Sequence, residues 1–265
     1  MDLHAPSDAL ALDQQLQQYV RTVATRDRDA ERVGPFTATF DPHSTNPYLN
    51  YAFPDDGARP TTEDVAALAA VYRARDRVPR LEFLPAVAPK VEAALAAGGF
   101  AEEGRLVVMT CAVGDAVALA PPQGIAIEAP ITDDDLRGMR VAQHSAFGVE
   151  EPEVDADEVG RQRASMAAGT LLALARDTTT GSVVGGGVAT VPAGGVTEIA
   201  GIGVLASHRN RGIAGAITAH LTHAALAGGQ TTVWLTPGRD DAHRVYARAG
   251  FRDTSTMLHM SIPVA

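Results

Sequence analysis

VTEIAGIGVLASHRNRGIAGA, residues Val196 to Ala216, is the stretch whose reading decides the fold. It opens as a β-branched and apolar run and turns sharply at Leu205-Ala206-Ser207-His208. Arg209-Asn210-Arg211-Gly212-Ile213-Ala214 follows, and a helix begins. A strand–loop–helix junction of this kind leaves several backbone N–H groups unpaired at the positive end of the helix dipole. An anion, and above all a phosphate, is the natural occupant of such a place. Gly212 and Ala214 have little or no side chain, which lets a ligand approach the backbone. Arg209 and Arg211 add positive charge.

Working outward, the helix runs to Ala227 with Ile213, Ile217, Leu221 and Ala224 along one face. Thr231 to Thr236 reads as a strand, Asp241 to Ala249 as a helix, and Phe251 to Ile262 as a closing β segment. Upstream, Ile125 to Glu128 is a strand, and Thr132 with Asp135 forms a capping box that opens a helix carrying Leu136, Met139, Ala142 and Ala146 inward. Glu150 to Asp157 is acidic and reads as a loop. Leu171 to Ala175 and Val183 to Val191 pair as a hairpin across Thr178-Thr179-Thr180-Gly181. Gly185-Gly186-Gly187 lies inside that strand with no helix after it, so close sheet packing or a bulge explains it better than a phosphate loop.

The first half reads the same way. Leu10 to Val23 is helical; Glu31 to Phe40 and Tyr48 to Phe53 are strands. Thr61 with Asp64 caps a helix whose buried stripe is Val65, Leu68, Ala69 and Tyr72. Arg80 to Leu84 is a strand, Pro89 to Ala97 a helix ended by Gly98-Gly99, and a last strand ends near Cys111. A shift of 151 positions (250 minus 99, setting Gly99 on Gly250) superposes Gly99-Phe100 on Gly250-Phe251 and Leu84 on Leu235 without a gap from Glu31 to Met109. That is an internal repeat, and it sets the architecture. The copies differ at the junction. Opposite Arg209 to Ala214 stand Ala58-Arg59-Pro60-Thr61-Thr62-Glu63, where Pro60 has no N–H and Glu63 and Asp64 would repel a phosphate.

Arg209-x-x-Gly212-x-Ala214, followed by Ala242-His243-Arg244-Val245-Tyr246-Ala247-Arg248-Ala249-Gly250-Phe251, resembles the acetyl-CoA signature and the Tyr-x-x-x-Gly-Phe block of the GNAT superfamily of N-acetyltransferases. The resemblance covers Ile125 to Ala265 directly and the first half through the repeat. It implies an α/β (α+β) fold of two tandem GNAT-like domains, each a twisted mixed β-sheet flanked by helices. The expected division is a degenerate copy at 1–111, a linker at 112–124 and a catalytic domain at 125–265.

The same resemblance implies acetyl-CoA as co-substrate. Its pantetheine arm would lie against Ile202, Gly203 and Val204, and its diphosphate on Arg209, Asn210, Arg211, Gly212, Ile213 and Ala214, with Gly215 and Ala216 continuing the helix start. Glu198, eleven residues before Arg209, is the candidate general base, with a solvated glutamate at a sheet edge as the alternative. Period 2 predicts that it shares a face with Ile202 and Val204. Tyr246 is the candidate acid toward the departing thiolate, or else a core aromatic. The Val204 N–H is the expected oxyanion donor.

A net charge of −10 over 265 residues argues against a nucleic-acid partner and suits a cationic amine, although acidity that serves solubility alone is the reading charge by itself favours. Cys111, the single cysteine, excludes an intrachain disulfide and reads as a buried thiol. No metal is expected: His220 and His223 share a helix side without a third ligand. Met1-Asp2-Leu3-His4 lacks the basic start of a leader, and no apolar run reaches membrane-spanning length, so a cytoplasmic protein without a membrane partner is expected. The predicted activity is acetyl transfer to a primary amine of a small cationic molecule. A non-catalytic acyl-CoA sensor and a protein-amine acetyltransferase are the alternatives. The degenerate copy would wall the acceptor cleft.

Overall fold

The alternating and helical segments become mixed α/β structure in a computed structural model that describes residues 6–26, 28–238 and 240–263. Met1–His4, read above for a leader, lies outside the described residues. The chain divides into two compact units, 1–108 with 254–265, and 109–253.

In the first unit the elements are α1 (Pro6–Ala24), β1 (Asp29–Val33), β2 (Phe36–Phe40), β3 (Ala52–Pro54), α2 (Thr62–Arg73), β4 (Arg80–Phe83) and α3 (Val91–Ala97). Two long strands, β5 (Ala101–Ala112) and β11 (Arg252–Ser261), each run through a unit boundary. The strand order here is β1-β2-β3-β4-β11. β3 and β4 are parallel, and β11 lies antiparallel on β4 with Leu258 opposite Phe83 and Met260 opposite Leu81. Those residues form one core with Val65, Leu68, Ala69 and Tyr72 of α2. On the other face of β4, Arg80 is fully buried between Glu82, Glu103 (2.7 Å) and His259 Nδ1 (3.0 Å), under the ring of Tyr48 at 4.6 Å.

The second unit comprises β6 (Ile125–Glu128), α4 (Asp133–Ala146), α5 (Ala156–Ala167), β7 (Leu171–Asp177), β8 (Val183–Ala189), β9 (Val196–Val204), α6 (Ile213–Ala227), β10 (Thr232–Leu235) and α7 (Asp240–Arg248). Its strand order is β5-β10-β9-β8-β7-β6. β5 joins it through Met109 to Ala112, antiparallel to β10, and Cys111 is fully buried there. Burial pushes the Cys111 thiol up to about 11, which keeps it protonated and inert. Helices cover both faces: Leu136 and Met139 of α4 pack with Leu172 and Leu174, while Ile213, Ile217 and Leu221 of α6 pack with Ala173, Ile199 and Val233. The glycine run of β8 makes this approach possible. A Cβ on Gly186 would collide with Met139 on one face, and a Cβ on Gly187 with Ile202 and Ile217 on the other. Among the described residues no helix is long and apolar enough to cross a membrane.

The repeat is visible element by element. A shift of 151 carries Thr62, the first residue of α2, onto Ile213, the first of α6. It carries Ala97, the last of α3, onto Arg248, the last of α7, and Ala101 of β5 onto Arg252 of β11. Both capping boxes are present, Thr61 with Asp64 and Thr132 with Asp135.

Three expectations need correction. The single strand at Glu31–Phe40 is the hairpin β1–β2, because Gly34 at φ +52° turns the chain. The strand at Tyr48–Phe53 shortens to β3. Asn46 accepts from Tyr48 N (3.0 Å) to form a 3-10 turn over Pro47–Leu49, and fully buried Asn50 draws in the loop through Asp41 N, Ser44 O and Asn46 O. The acidic loop ends early. Asp155 accepts from Glu158 N at 2.7 Å and opens α5, a helix with Val159 as its buried residue and therefore little apolar periodicity to reveal it.

Candidate functional site

β9 has two different edges. β10 pairs with it only at Val196, Thr197 and Glu198. From Ile199 to Val204 the strand pairs with β8 alone, so its other edge opens into a wedge. The ladder with β8 is interrupted in the same stretch: Val188 faces Ala200 and Gly186 faces Gly203, which leaves Gly201 and Ile202 opposite Gly187. This is a β-bulge, and Gly201 occupies it at φ +61°.

The bulge inverts the direction of the peptides beyond it. Glu198 O accepts from Thr190 N (2.9 Å), so Glu198 turns toward the β8 side. Leu205 N donates to Val184 O (2.9 Å) and turns to the same side although it lies an odd number of residues further on. Val204, between them, faces the wedge, and its carbonyl is held there by Arg209 Nε at 3.1 Å. Unbroken alternation from Glu198 would have pointed Val204 at β8. The extra residue is what aims the Val204 N–H into the opening.

The same insertion corrects the predicted face of Glu198. Ala200 pairs with Val188, which packs with Met139 of α4, and Glu198 shares that face two residues earlier. Ile202 instead lies beside Ile217 and Leu221, near the position a Gly187 Cβ would take on the α6 side. Glu198 and the Ile202/Val204 pair therefore occupy opposite faces of β9. The Glu198 side chain is on the α4 side, half-buried, and the sheet itself separates it from α6.

At the end of β9 the chain makes a 3-10 turn over Ala206–His208, and then two residues adopt left-handed backbone, Asn210 at φ +62° and Gly212 at φ +89°. Gly212 is the N-cap of α6 and supplies no side chain to it. The first N–H used within the helix is that of Ala216, to Gly212 O at 3.1 Å. The N–H groups of Ile213, Ala214 and Gly215 thus point out of the helix start. A Cβ on Gly212 would meet nothing within 4 Å, so the space above this end is open. α2 shows the contrast. Its N-terminus is closed by its own carboxylate, with Asp64 Oδ2 accepting from Thr61 N at 2.8 Å and Thr61 Oγ1 accepting from Asp64 N at 3.2 Å.

The remaining predicted cofactor residues divide by role. Ile213 is buried in the core below the cradle and anchors it. Gly215 serves packing, since a Cβ there would lie 3.2 Å from Leu119 and 3.5 Å from Val245. Ala216 is buried with its N–H already paired, so it supports the helix and offers nothing outward. Arg211 and Asn210 are exposed, and Arg211 Nη2 donates to Gln123 O at 3.3 Å. Arg209 is turned back on the protein, bridging Val204 O and Ala146 O (3.0 Å). Beside the turn, His208 Nδ1 lies 2.9 Å from Ser207 Oγ and its Nε2 lies 3.4 Å from Asp177. The N–H groups of Thr179 and Thr180, with His208, hold the Asp177 carboxyl below its usual range.

Tyr246, on α7, packs half-buried against the core cluster of α6 and β10, with its ring 6.4 Å from that of Phe251. The end of α7 is shaped by Gly250 at φ +100°, with Phe251 N donating to Tyr246 O at 3.2 Å. His243, one turn earlier, is 2.6 Å from Asp253. His220 and His223 are both exposed on α6. Sequence reasoning missed Gln143. It is buried on α4 and donates from Nε2 to Gly201 O at 2.7 Å. A polar residue on the apolar stripe Leu136–Met139–Ala142 was its signal.

Residues 122–251 match the model of the acetyltransferase (GNAT) family. No curated protein matches the chain. Among solved structures, a GCN5-related N-acetyltransferase from Kribbella flavida is similar at 25% identity and TM-score 0.78, over 97% of this chain and 96% of that one. A GCN5-related N-acetyltransferase from Sphaerobacter thermophilus has 18% identity and TM-score 0.66, over 99% and 95%. A tandem GNAT protein from the clavulanic acid biosynthesis pathway shares the fold at 14% identity and TM-score 0.63, over 99% and 98%.

Proposed function

We propose, for a chain that belongs to the GNAT acetyltransferase family, that it moves an acetyl group from acetyl-CoA to a primary amine of a small cationic molecule. The observation that carries this is the pairing of an uncapped helix start at Gly212 with the open edge of β9 immediately before it. The N–H groups of Ile213, Ala214 and Gly215 suit a diphosphate, the wedge beside Ile202 to Val204 suits an extended arm, and the two are continuous along the chain.

In the proposed reaction the neutral amine nitrogen attacks the thioester carbonyl carbon directly. The Val204 N–H donates to the oxygen as it gains charge, the step at which a preorganised amide acts most strongly. As the C–N bond forms and the nitrogen gains positive charge, Glu198, from its place on the α4 face, takes a proton from it, directly or through water. The C–S bond then breaks, and Tyr246 returns a proton to the thiolate sulfur. A net charge of −10 favours a cationic acceptor over an anionic one, and a cytoplasmic setting follows from the co-substrate.

The test is acetyl-CoA with a panel of primary amines, followed by release of the free thiol. Turnover that saturates with one amine is the expected result. Tight CoA binding with no transfer to any amine, small or protein-borne, would turn the reading to an acyl-CoA sensor.

A further inference from the structure

We propose that Gln143 is a positioning residue of the acyl-transfer site, pinning the β9 bulge from α4 so that the Val204 N–H keeps its aim into the wedge; the inference rests on the acyl-transfer reading above. Gln143 is 1% exposed, on the helix face that carries Leu136, Met139 and Ala142. An amide costs free energy there unless both of its ends are satisfied, and an apolar side chain would fill the same volume without that cost. Both ends are satisfied. Nε2 donates to Gly201 O at 2.7 Å, and Oε1 accepts from Arg140 Nη1 at 3.2 Å.

The acceptor is the group that most needs a donor. Gly201 is the extra residue of the bulge, and such a residue falls outside the ladder with the neighbouring strand. Its carbonyl is turned to the α4 face and meets Gln143. The backbone around it is shaped to the same contact. Gly201 stands at φ +61°, and a Cβ there would lie 3.0 Å from Nε2. A Cβ on Gly203 would lie 3.1 Å from Gln143 Cα and 3.1 Å from Ala146 Cβ, so α4 rests directly on the bulge.

Behind Gln143 the contact is backed by charge. Arg140 is fastened by Glu158 of α5 at 2.7 Å and lies 3.0 Å from His144 Nε2. His144 is 3.5 Å from Glu158. A chain of contacts therefore runs from α5 through Arg140 and Gln143 to Gly201 O, three residues before the N–H that faces the wedge. Freed from the pin, the bulge can relax toward regular alternation, which turns Val204 back toward β8. The diphosphate cradle on α6 takes no part in this chain, so chemistry and CoA binding should separate.

The experiment compares Gln143→Met, which keeps length and removes both polar ends, with Gln143→Glu, which keeps an acceptor for Arg140 and loses the donor. Full removal of an oxyanion donor costs about 10²- to 10³-fold in kcat; a donor that is kept but misaimed should cost about 10- to 100-fold. The expected result is that loss in kcat for both variants, with KM for acetyl-CoA and Kd for CoA within about threefold of wild type. Hydrogen exchange on the CoA-bound protein should rise at residues 202–205 and stay unchanged at the start of α6. Wild-type kcat in both variants overturns the proposal. So does a parallel loss of kcat, CoA affinity and melting temperature, which marks general loosening. Should the wild type itself transfer no acetyl group to any amine tested, the acyl-transfer reading fails separately. The exchange measurement then decides the pin by itself: protected 202–205 amides in both variants overturn it, and exposed ones uphold it.

Discussion

Arg209 is the position where the motif and the geometry make different predictions. By the motif it is a positive charge beside a diphosphate. In the structure its guanidinium reaches backward, with Nε on Val204 O at 3.1 Å and Nη2 on Ala146 O at 3.0 Å, tying the end of β9 to the end of α4. Arg209→Gln and Arg209→Lys separate the two roles. Hydrogen bonds from a charged donor are worth about 1.5–3 kcal/mol each when buried, and far less where water competes. Arg209 is exposed, so the pair is worth about 1–2 kcal/mol together. For a unit of this size that corresponds to a fall of roughly 2–8 °C in melting temperature. Lysine keeps the charge but lacks the planar fork that spans two carbonyls. Arg209→Lys should therefore melt with Arg209→Gln, well below wild type, while retaining more CoA affinity than the glutamine variant. Thermal melts of the apo protein and calorimetric titration with CoA measure both quantities on one sample. A lysine variant with the wild-type melting temperature, or a glutamine variant that loses only CoA affinity, would refute the brace.

Tyr246→Phe should lower kcat about 10²-fold while CoA Kd stays within about threefold, because a general acid contributes roughly 10²–10⁴ and the ring packing is retained; an unchanged kcat in steady-state assays would return Tyr246 to the core. Gly212→Val should weaken CoA binding at least about tenfold in titration, since the side chain enters the open space above the helix start and a β-branched residue at φ +89° costs about 1–2 kcal/mol. Equal affinity would place the diphosphate elsewhere. Asp135 tests the cap of α4: its carboxyl accepts from Thr132 N and Ile131 N and pairs with Arg176, which hold it well below the usual carboxylate range. A depressed folded pKa stabilises above the unfolded value of about 4 and loses that contribution as pH falls toward the folded one. Asp135→Asn should therefore cost about 1–2 kcal/mol near neutrality, with the gap from wild type narrowing in urea melts below about pH 4. A gap that is constant down to strong acid would contradict the assignment.

What was legible in the chain was local. Thr61-x-x-Asp64 and Thr132-x-x-Asp135 announce helix starts because the capping bonds span three residues. The repeat was legible because its turns reuse the same device, Gly99 at φ +89° and Gly250 at φ +100° each closing a helix before an aromatic. The illegible parts depend on partners distant in sequence. Nothing in the alternation of β5 or β11 says that Met109–Ala112 will pair with β10, or that Leu258–Ser261 will pair with β4. The bulge leaves one trace, a glycine at 201 within an apolar strand, and period 2 fails there, which puts Glu198 on the face opposite Ile202 and Val204. α5 escaped because its stabilisation comes from Asp155, Arg140 and Arg163 instead of an apolar stripe.

The two copies show that scaffold and site are separable. α2 and α6 start at equivalent positions, follow equivalent strands and pack on equivalent cores. They differ in who occupies the helix N-terminus. In α2 it is the Thr61 hydroxyl, which accepts from Asp64 N, with the Asp64 carboxylate accepting in turn from Thr61 N. In α6 it is a glycine with positive φ and no cap, behind a strand nine residues long instead of three. A glycine N-cap costs a few tenths of a kcal/mol relative to a side-chain cap, so a copy free to drift should acquire a cap and a copy held to bind an anion should not. The Thr61–Asp64 box in the first copy thus stands where a bound diphosphate would stand in the second, and such a ligand would restore the capping that Gly212 lacks.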